Sequence, residues 1–196
     1  MTICFKRNSP KYDPIIIGSE PVQPVESAKL VGVIIQNDLK WDKNTNAILQ
    51  KAQKRLFFLK RLKKPGACEK DLLRFYTAIV RPVCEYAAPA WATSLTLAQR
   101  HKLENIQKRA FNIIAPELSY EESLSKLEQS TLEDRRLKLC ESFFSKIQNP
   151  KDKINDILPE QREHKYSFRQ NRKFENIKCR TSRYKNSFLP FAVENF

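Results

Sequence analysis

Between Asn46 and Lys64 the sequence carries seven cationic side chains, Lys51, Lys54, Arg55, Lys60, Arg61, Lys63 and Lys64, and no carboxylate. On a helix, cations three and four residues apart repel one another unless acids are interleaved. A run of one sign therefore calls for anions from outside, and the phosphates of a nucleic-acid backbone supply them. Further bases recur as Lys108-Arg109, Arg172-Lys173, Arg180, Arg183 and Lys185. Tyr166, Phe168, Tyr184 and Phe188 lie among the later ones, a mixture suited to stacking on unpaired bases beside phosphate contacts. The plainer alternative for the first run is a solvated helix face.

Over all 196 residues, 36 basic and 22 acidic side chains leave a formal charge of +14. Such a field attracts polyanions, so RNA and/or DNA is the first partner to expect and an anionic membrane surface the second. The charge is unevenly placed. Glu117 to Glu141 holds seven acids against four bases, whereas Gln161 to Phe196 holds nine bases against three acids. No uncharged stretch approaches the ~20 residues needed to cross a bilayer, and no cleavable leader is evident. An intracellular protein without a membrane partner is expected, nucleus and cytoplasm being equally compatible. Cys4, Cys68, Cys84, Cys140 and Cys179 are scattered and never in a CxxC pair, which reads as reduced thiols, mostly core fillers.

The elements that must position these residues are legible in outline. Thr2 to Phe5, Ile15 to Ile17, Val22 to Val25 and Leu30 to Ile35 read as strands, with Gly18-Ser19-Glu20 as a hairpin connection. From Asp42 the period becomes helical, with Ile48, Ala52, Leu56 and Leu59 on one face and Pro65-Gly66 as the stop. A second helix is expected from Glu69 to about Val80, then a third with Pro82 in its first turn, ended by Pro89. Thr96-x-x-Gln99 forms a capping box before a helix over Leu97 to Ile114. Ser119-x-x-Glu122 and Thr131-x-x-Asp134 mark two more starts, the last helix ending at Asn149-Pro150. Trp41, Tyr76, Tyr86 and Trp91 fall at apolar spacing and are expected in the core.

The run Ala28-Lys29-Leu30-Val31-Gly32-Val33-Ile34-Ile35-Gln36-Asn37-Asp38-Leu39-Lys40-Trp41 resembles the segment after the palm active site of reverse transcriptases encoded by non-LTR (LINE-type) retrotransposons. Later motifs follow in the same order. They are Lys51 to Leu62, then Tyr76 to Trp91 around Arg81-Pro82, then Ile106-Gln107-Lys108-Arg109-Ala110, and in the tail Lys178 to Pro190. The resemblance implies a primer-grip-like hairpin at Leu30 and Gly32, a helical thumb that holds template and primer, and palm and fingers lying upstream. Polymerase chemistry uses carboxylates holding two divalent ions about 3.5 to 4 Å apart, and in that family two of them are adjacent aspartates. No Asp-Asp pair occurs here. Glu121-Glu122 and Glu133-Asp134 follow helix-capping residues, where acids favour a helix N-terminus.

Ala47 to Gly66 is also similar to a short N-terminal module named after an AlkB-type alkylation repair protein. The dioxygenase of that name would need an HxD plus a distal His for iron, and a methyltransferase a glycine-rich βα turn. His101 precedes Lys102 and Leu103, His164 precedes Lys165 and Tyr166, and the three glycines are isolated.

The expected fold is therefore α+β, mainly α: a small antiparallel β-sheet over residues 1–41, a thumb-like helical bundle over 42–158, and an extended basic tail over 159–196. The expected function is binding of template–primer nucleic acid, with no catalysis by these residues alone, no cofactor and no small-molecule ligand. The rival is a helical protein-interaction module using the acidic 117–141 region and exposed apolar faces.

Overall fold

A computed structural model of the chain describes residues 2–5, 15–161 and 173–196. The N-terminal portion forms two separate hairpins rather than one sheet. Strands β1 (Ile16–Ile17) and β2 (Glu20–Pro21) pair across the expected Gly18-Ser19 turn, and Thr2 bridges Pro24. Strands β3 (Ser27–Leu30) and β4 (Val33–Gln36) pair in register from Ser27↔Gln36 to Leu30↔Val33. The single strand expected from Leu30 to Ile35 is thus folded in half. Val31 and Gly32 take φ of 45° and 86°, and two consecutive positive-φ residues make the tight turn whose twist suits a hairpin.

Helix α1 (Asp42–Lys63) buries Ile48, Ala52, Leu56 and Leu59, the face the spacing predicts. Its start is tied to the second hairpin, since Asn44 Oδ1 accepts the Ile34 N–H at 3.1 Å and Gln36 Oε1 accepts the Lys43 N–H at 2.7 Å. Helix α2 (Glu69–Phe75) runs through a π-helical segment (Tyr76–Val80) directly into α3 (Arg81–Glu85). Pro82 explains the widened turn, because a proline inside an α-helix lacks its N–H and collides with the carbonyl four residues back. Here the Arg81 N–H reaches the Tyr76 carbonyl, five residues back, and the rod continues without a break. Pro89 begins a helix instead of ending one. Helix α3 stops at Tyr86 and left-handed Ala87, and Pro89 lies in the first turn of α4 (Ala88–Trp91), where its missing N–H costs nothing.

Helix α5 (Leu97–Ile114) opens with the predicted Thr96–Gln99 capping box and packs along α1. Gln99 also joins the two N-termini, donating to the Lys40 carbonyl at 2.9 Å and to Asp42 Oδ1 at 2.8 Å. Helices α6 (Tyr120–Lys126) and α7 (Leu132–Ile147) start at Ser119 and Thr131 as expected. A polar chain runs through the interior between these helices. The Tyr76 hydroxyl donates to Gln107 Oε1 at 2.5 Å, and Gln107 Nε2 reaches Tyr120 Oη and the Ser130 carbonyl, each at 2.9 Å. Tyr120 donates to Glu104, whose carboxylate accepts the Leu132 and Glu133 N–H groups at 3.1 and 3.2 Å and so caps α7.

The last segment departs from the expected extended tail. Helices α8 (Ser182–Lys185) and α9 (Phe188–Asn195) fold back, and Phe174, Ala192 and Val193 bury Phe144 and Ile147 of α7 in a second apolar cluster. Sequence periodicity misses this because α9 is short and places its apolar side chains on several sides. Trp41, Tyr76 and Trp91 lie in the main core as expected, whereas Tyr86 is half exposed against the second hairpin. Cys84 and Cys140 are core fillers, Cys68 is exposed, and Cys4 and Cys179 are partly buried. Among the described residues no helix is long and apolar enough to cross a membrane.

Candidate nucleic-acid interface

Helix α1 positions the predicted cationic run, and the core register fixes which cations face outward. With Ile48, Ala52, Leu56 and Leu59 inward, Lys54, Phe57, Arg61 and Lys64 follow one another at three- and four-residue steps along the opposite row. Lys51 and Lys60 flank it, and these five cations are exposed. The other two have partners. Arg55 donates from α1 to the Ile79 carbonyl in the π segment, and Lys63 Nζ donates to the Ile114 carbonyl at 3.2 Å, where it meets the negative end of α5.

The structure brings two of the predicted groups together. Gly32 and Val33 of the second hairpin, Lys51 and Arg55 of α1, and Tyr86 and Trp91 line one cleft of about 380 Å³. Asn44 also lines it; its amide nitrogen has no hydrogen-bond partner among the described residues. Gly32 is itself covered. A Cβ there would lie 3.2 Å from Tyr86 Cε1, so the close approach this glycine permits is that of the Tyr86 ring. Leu30, at the other side of the turn, is exposed.

The remaining candidates are dispersed. Lys108 and Arg109 are exposed on α5, with Lys108 Nζ 5.0 Å from the centre of the Tyr120 ring. Lys173 donates to Gln148 Oε1 at 2.9 Å, Arg183 donates to the Asp38 carbonyl, and Lys185 pairs with Glu194 at 3.1 Å. Arg180 is exposed. Tyr184 is exposed, but Phe188 packs on Phe143 with centroids 5.4 Å apart, which gives that ring a structural occupation. Tyr166, Phe168 and Arg172 lie outside the described residues.

Two side chains that the charge pattern did not single out stand among these cations. Phe57 and Phe58 are 55% and 56% exposed on α1. The signal was present in the sequence, since two adjacent phenylalanines cannot both lie on the Ile48–Leu59 face.

Residues 41–81 match the family model described as "Alkylated DNA repair protein alkB homolog 8, N-terminal". The matched span takes in α1, α2 and the π segment, and with them all seven cations and both exposed phenylalanines. No curated protein and no solved structure matches the chain.

Proposed function

We propose that this chain binds nucleic acid through the outward face of α1, as the template–primer-holding, thumb-like part of a reverse transcriptase of the non-LTR retrotransposon type. The observation that carries the reading is the row Lys54, Arg61 and Lys64 with Lys51 and Lys60 beside it, four exposed cations on α1 and a fifth at its C-cap, with no carboxylate from Asn46 to Lys64. The cleft lined by Gly32, Lys51 and Arg55 sets the second hairpin beside this helix. The order of motifs from Leu30 to the tail supports the polymerase side of the proposal. The family matched by residues 41–81 is named for DNA repair, which agrees with a nucleic-acid partner at the level of the module.

In this reading the chain contributes positioning, and the metal-binding carboxylates lie outside these residues. Purified protein with Mg²⁺ or Mn²⁺ is expected to leave a primed template unextended. The binding test is a salt titration with fluorescently labelled RNA and DNA. Replacing Lys51, Lys54 and Arg61 with Gln is expected to weaken all nucleic-acid ligands and to flatten the slope of log affinity against log salt by ~0.7 to 0.9 per lost phosphate contact. Unchanged affinity and slope in a variant of native helix content would make the row a solvated face and remove the proposal.

A further inference from the structure

The outward face of α1 is not uniformly charged. The Phe57 and Phe58 rings sit edge to face with centroids 5.8 Å apart. Together with Leu62, Phe75 and Ile79 they line a shallow groove of about 520 Å³ between α1 and the α2–π rod. Leu62 and Ile79 are also exposed, so this is a contiguous apolar patch, and patches of this kind rimmed by polar groups mark interaction sites. The charged residue lining the groove is a cation, Arg61. The Arg61 guanidinium stands 5.7 Å from the centre of the Phe57 ring, and Lys54 precedes both rings by one helical turn. The two carboxylates of facing α2 are engaged, Glu69 by Lys126 at 2.8 Å and Asp71 by Arg74 at 3.7 Å.

Resting on the nucleic-acid reading of α1, we infer that this groove receives unpaired nucleobases of a single-stranded segment. The bases stack on Phe57 and Phe58 while the neighbouring phosphates meet Lys54, Arg61 and Lys64. A ligand that fits must combine regularly spaced negative charge with flat apolar units, and a single strand does so whereas a duplex keeps its base faces covered. The helix that carries the rings is preorganised, because α1 is held along its length by the buried Ile48–Leu59 face and by the Arg55–Ile79 bond. The consequence is a preference of this face for single-stranded ends or loops over paired helix, with little choice among sequences.

The test uses the full chain with labelled 12-mers of oligo(dT) and oligo(U), a 12-base-pair duplex, and an acidic leucine-rich amphipathic peptide, at several salt concentrations. Both rings are exposed, so the double substitution F57A/F58A is expected to keep native helix content, and F57Y/F58Y serves as the conservative control. Single-strand affinity should fall roughly tenfold or more with F57A/F58A, recover with F57Y/F58Y, and show an unchanged salt slope, with duplex affinity altered less than about twofold. Oligonucleotides carrying 5-iodouracil should photo-crosslink to Phe57 or Phe58, located by mass spectrometry. If F57A/F58A leaves single-strand binding intact while K54Q/R61Q weakens it, the groove is not a base site and the nucleic-acid reading survives. If the wild-type chain binds no nucleic acid at low salt, both are overturned. If the peptide binds more tightly than any oligonucleotide and F57A/F58A abolishes only that, the groove is a protein-docking site.

Discussion

The Tyr86 hydroxyl donates to the Val31 carbonyl at 2.8 Å, pinning the tip of the β3–β4 hairpin to the end of α3. Gly32 lies directly beneath that ring, at φ 86° and with Tyr86 Cε1 only 3.2 Å from where a Cβ would stand. Gly32→Ala is expected to cost ~1 to 3 kcal/mol, from backbone strain and crowding together. Gly18→Ala is the control, since its φ is 67° but nothing lies within 4 Å; only the backbone cost of ~1 to 2 kcal/mol applies. Urea unfolding of both variants decides the matter, and equal losses would show that the Tyr86 contact is slack.

The interior polar chain makes a second prediction. Tyr76 and Gln107 are essentially inaccessible to solvent, so removing one partner strands the other. Tyr76→Phe leaves Gln107 Oε1 unpaired and is expected to cost ~1 to 3 kcal/mol. Gln107→Leu strands the Tyr76 hydroxyl and the Ser130 carbonyl together and should cost more. A Tyr76→Phe variant as stable as wild type in urea would mean that water replaces the lost donor.

Alkali should unfold the protein in a defined window. Burial pushes the Cys84 thiol up to about 12 and the Cys140 thiol up to about 11, from an ordinary value of 9.0. Both values are raised in the folded state, so the associated stability is complete below pH 9 and is lost as pH rises through 11 to 12. At pH 8 a thiol reagent should therefore modify exposed Cys68 rapidly and leave Cys84 and Cys140 until the chain unfolds. Reaction of all three at one rate would contradict the packing.

Hydrogen exchange should divide the chain. The β1–β2 hairpin has two residue pairs and leaves Ile16 and Ile17 64% and 71% exposed, whereas Leu103 and Ala110 of α5 are wholly buried. Amides around 16–22 are expected to open at far lower free energy than those of α5. Comparable protection in the two regions would indicate that the isoleucines are covered in solution.

The sequence announces those elements whose boundaries are chemical. Thr96-x-x-Gln99 and Ser119-x-x-Glu122 give the starts of α5 and α6 to the residue, because both halves of each capping box form. What it conceals depends on partners distant in the chain. Val31 carries a β-branched side chain and still enters a left-handed turn, where Tyr86 holds its carbonyl. Pro82 lies in the first turn of α3 as its residue type suggests, but the π turn that joins α3 to α2 is one that local propensity does not foretell. For the candidate site, the charge run was plain, and the adjacency of Phe57 and Phe58 placed at least one ring off the core face, but only the packing of α1 shows that both stay open. Phe188 shows the reverse, an aromatic among bases that tertiary structure takes into packing.

The fold-back of α9 also sets an order of assembly during translation. Phe144 and Ile147 emerge with α7, but Phe174, Ala192 and Val193, which cover them, follow roughly 30 to 50 residues later, a delay of several seconds at ~5–20 residues per second. During that interval the growing chain displays the apolar end of α7 to whatever surrounds it, and a ribosome that stalls between these segments would leave a product with that surface permanently open.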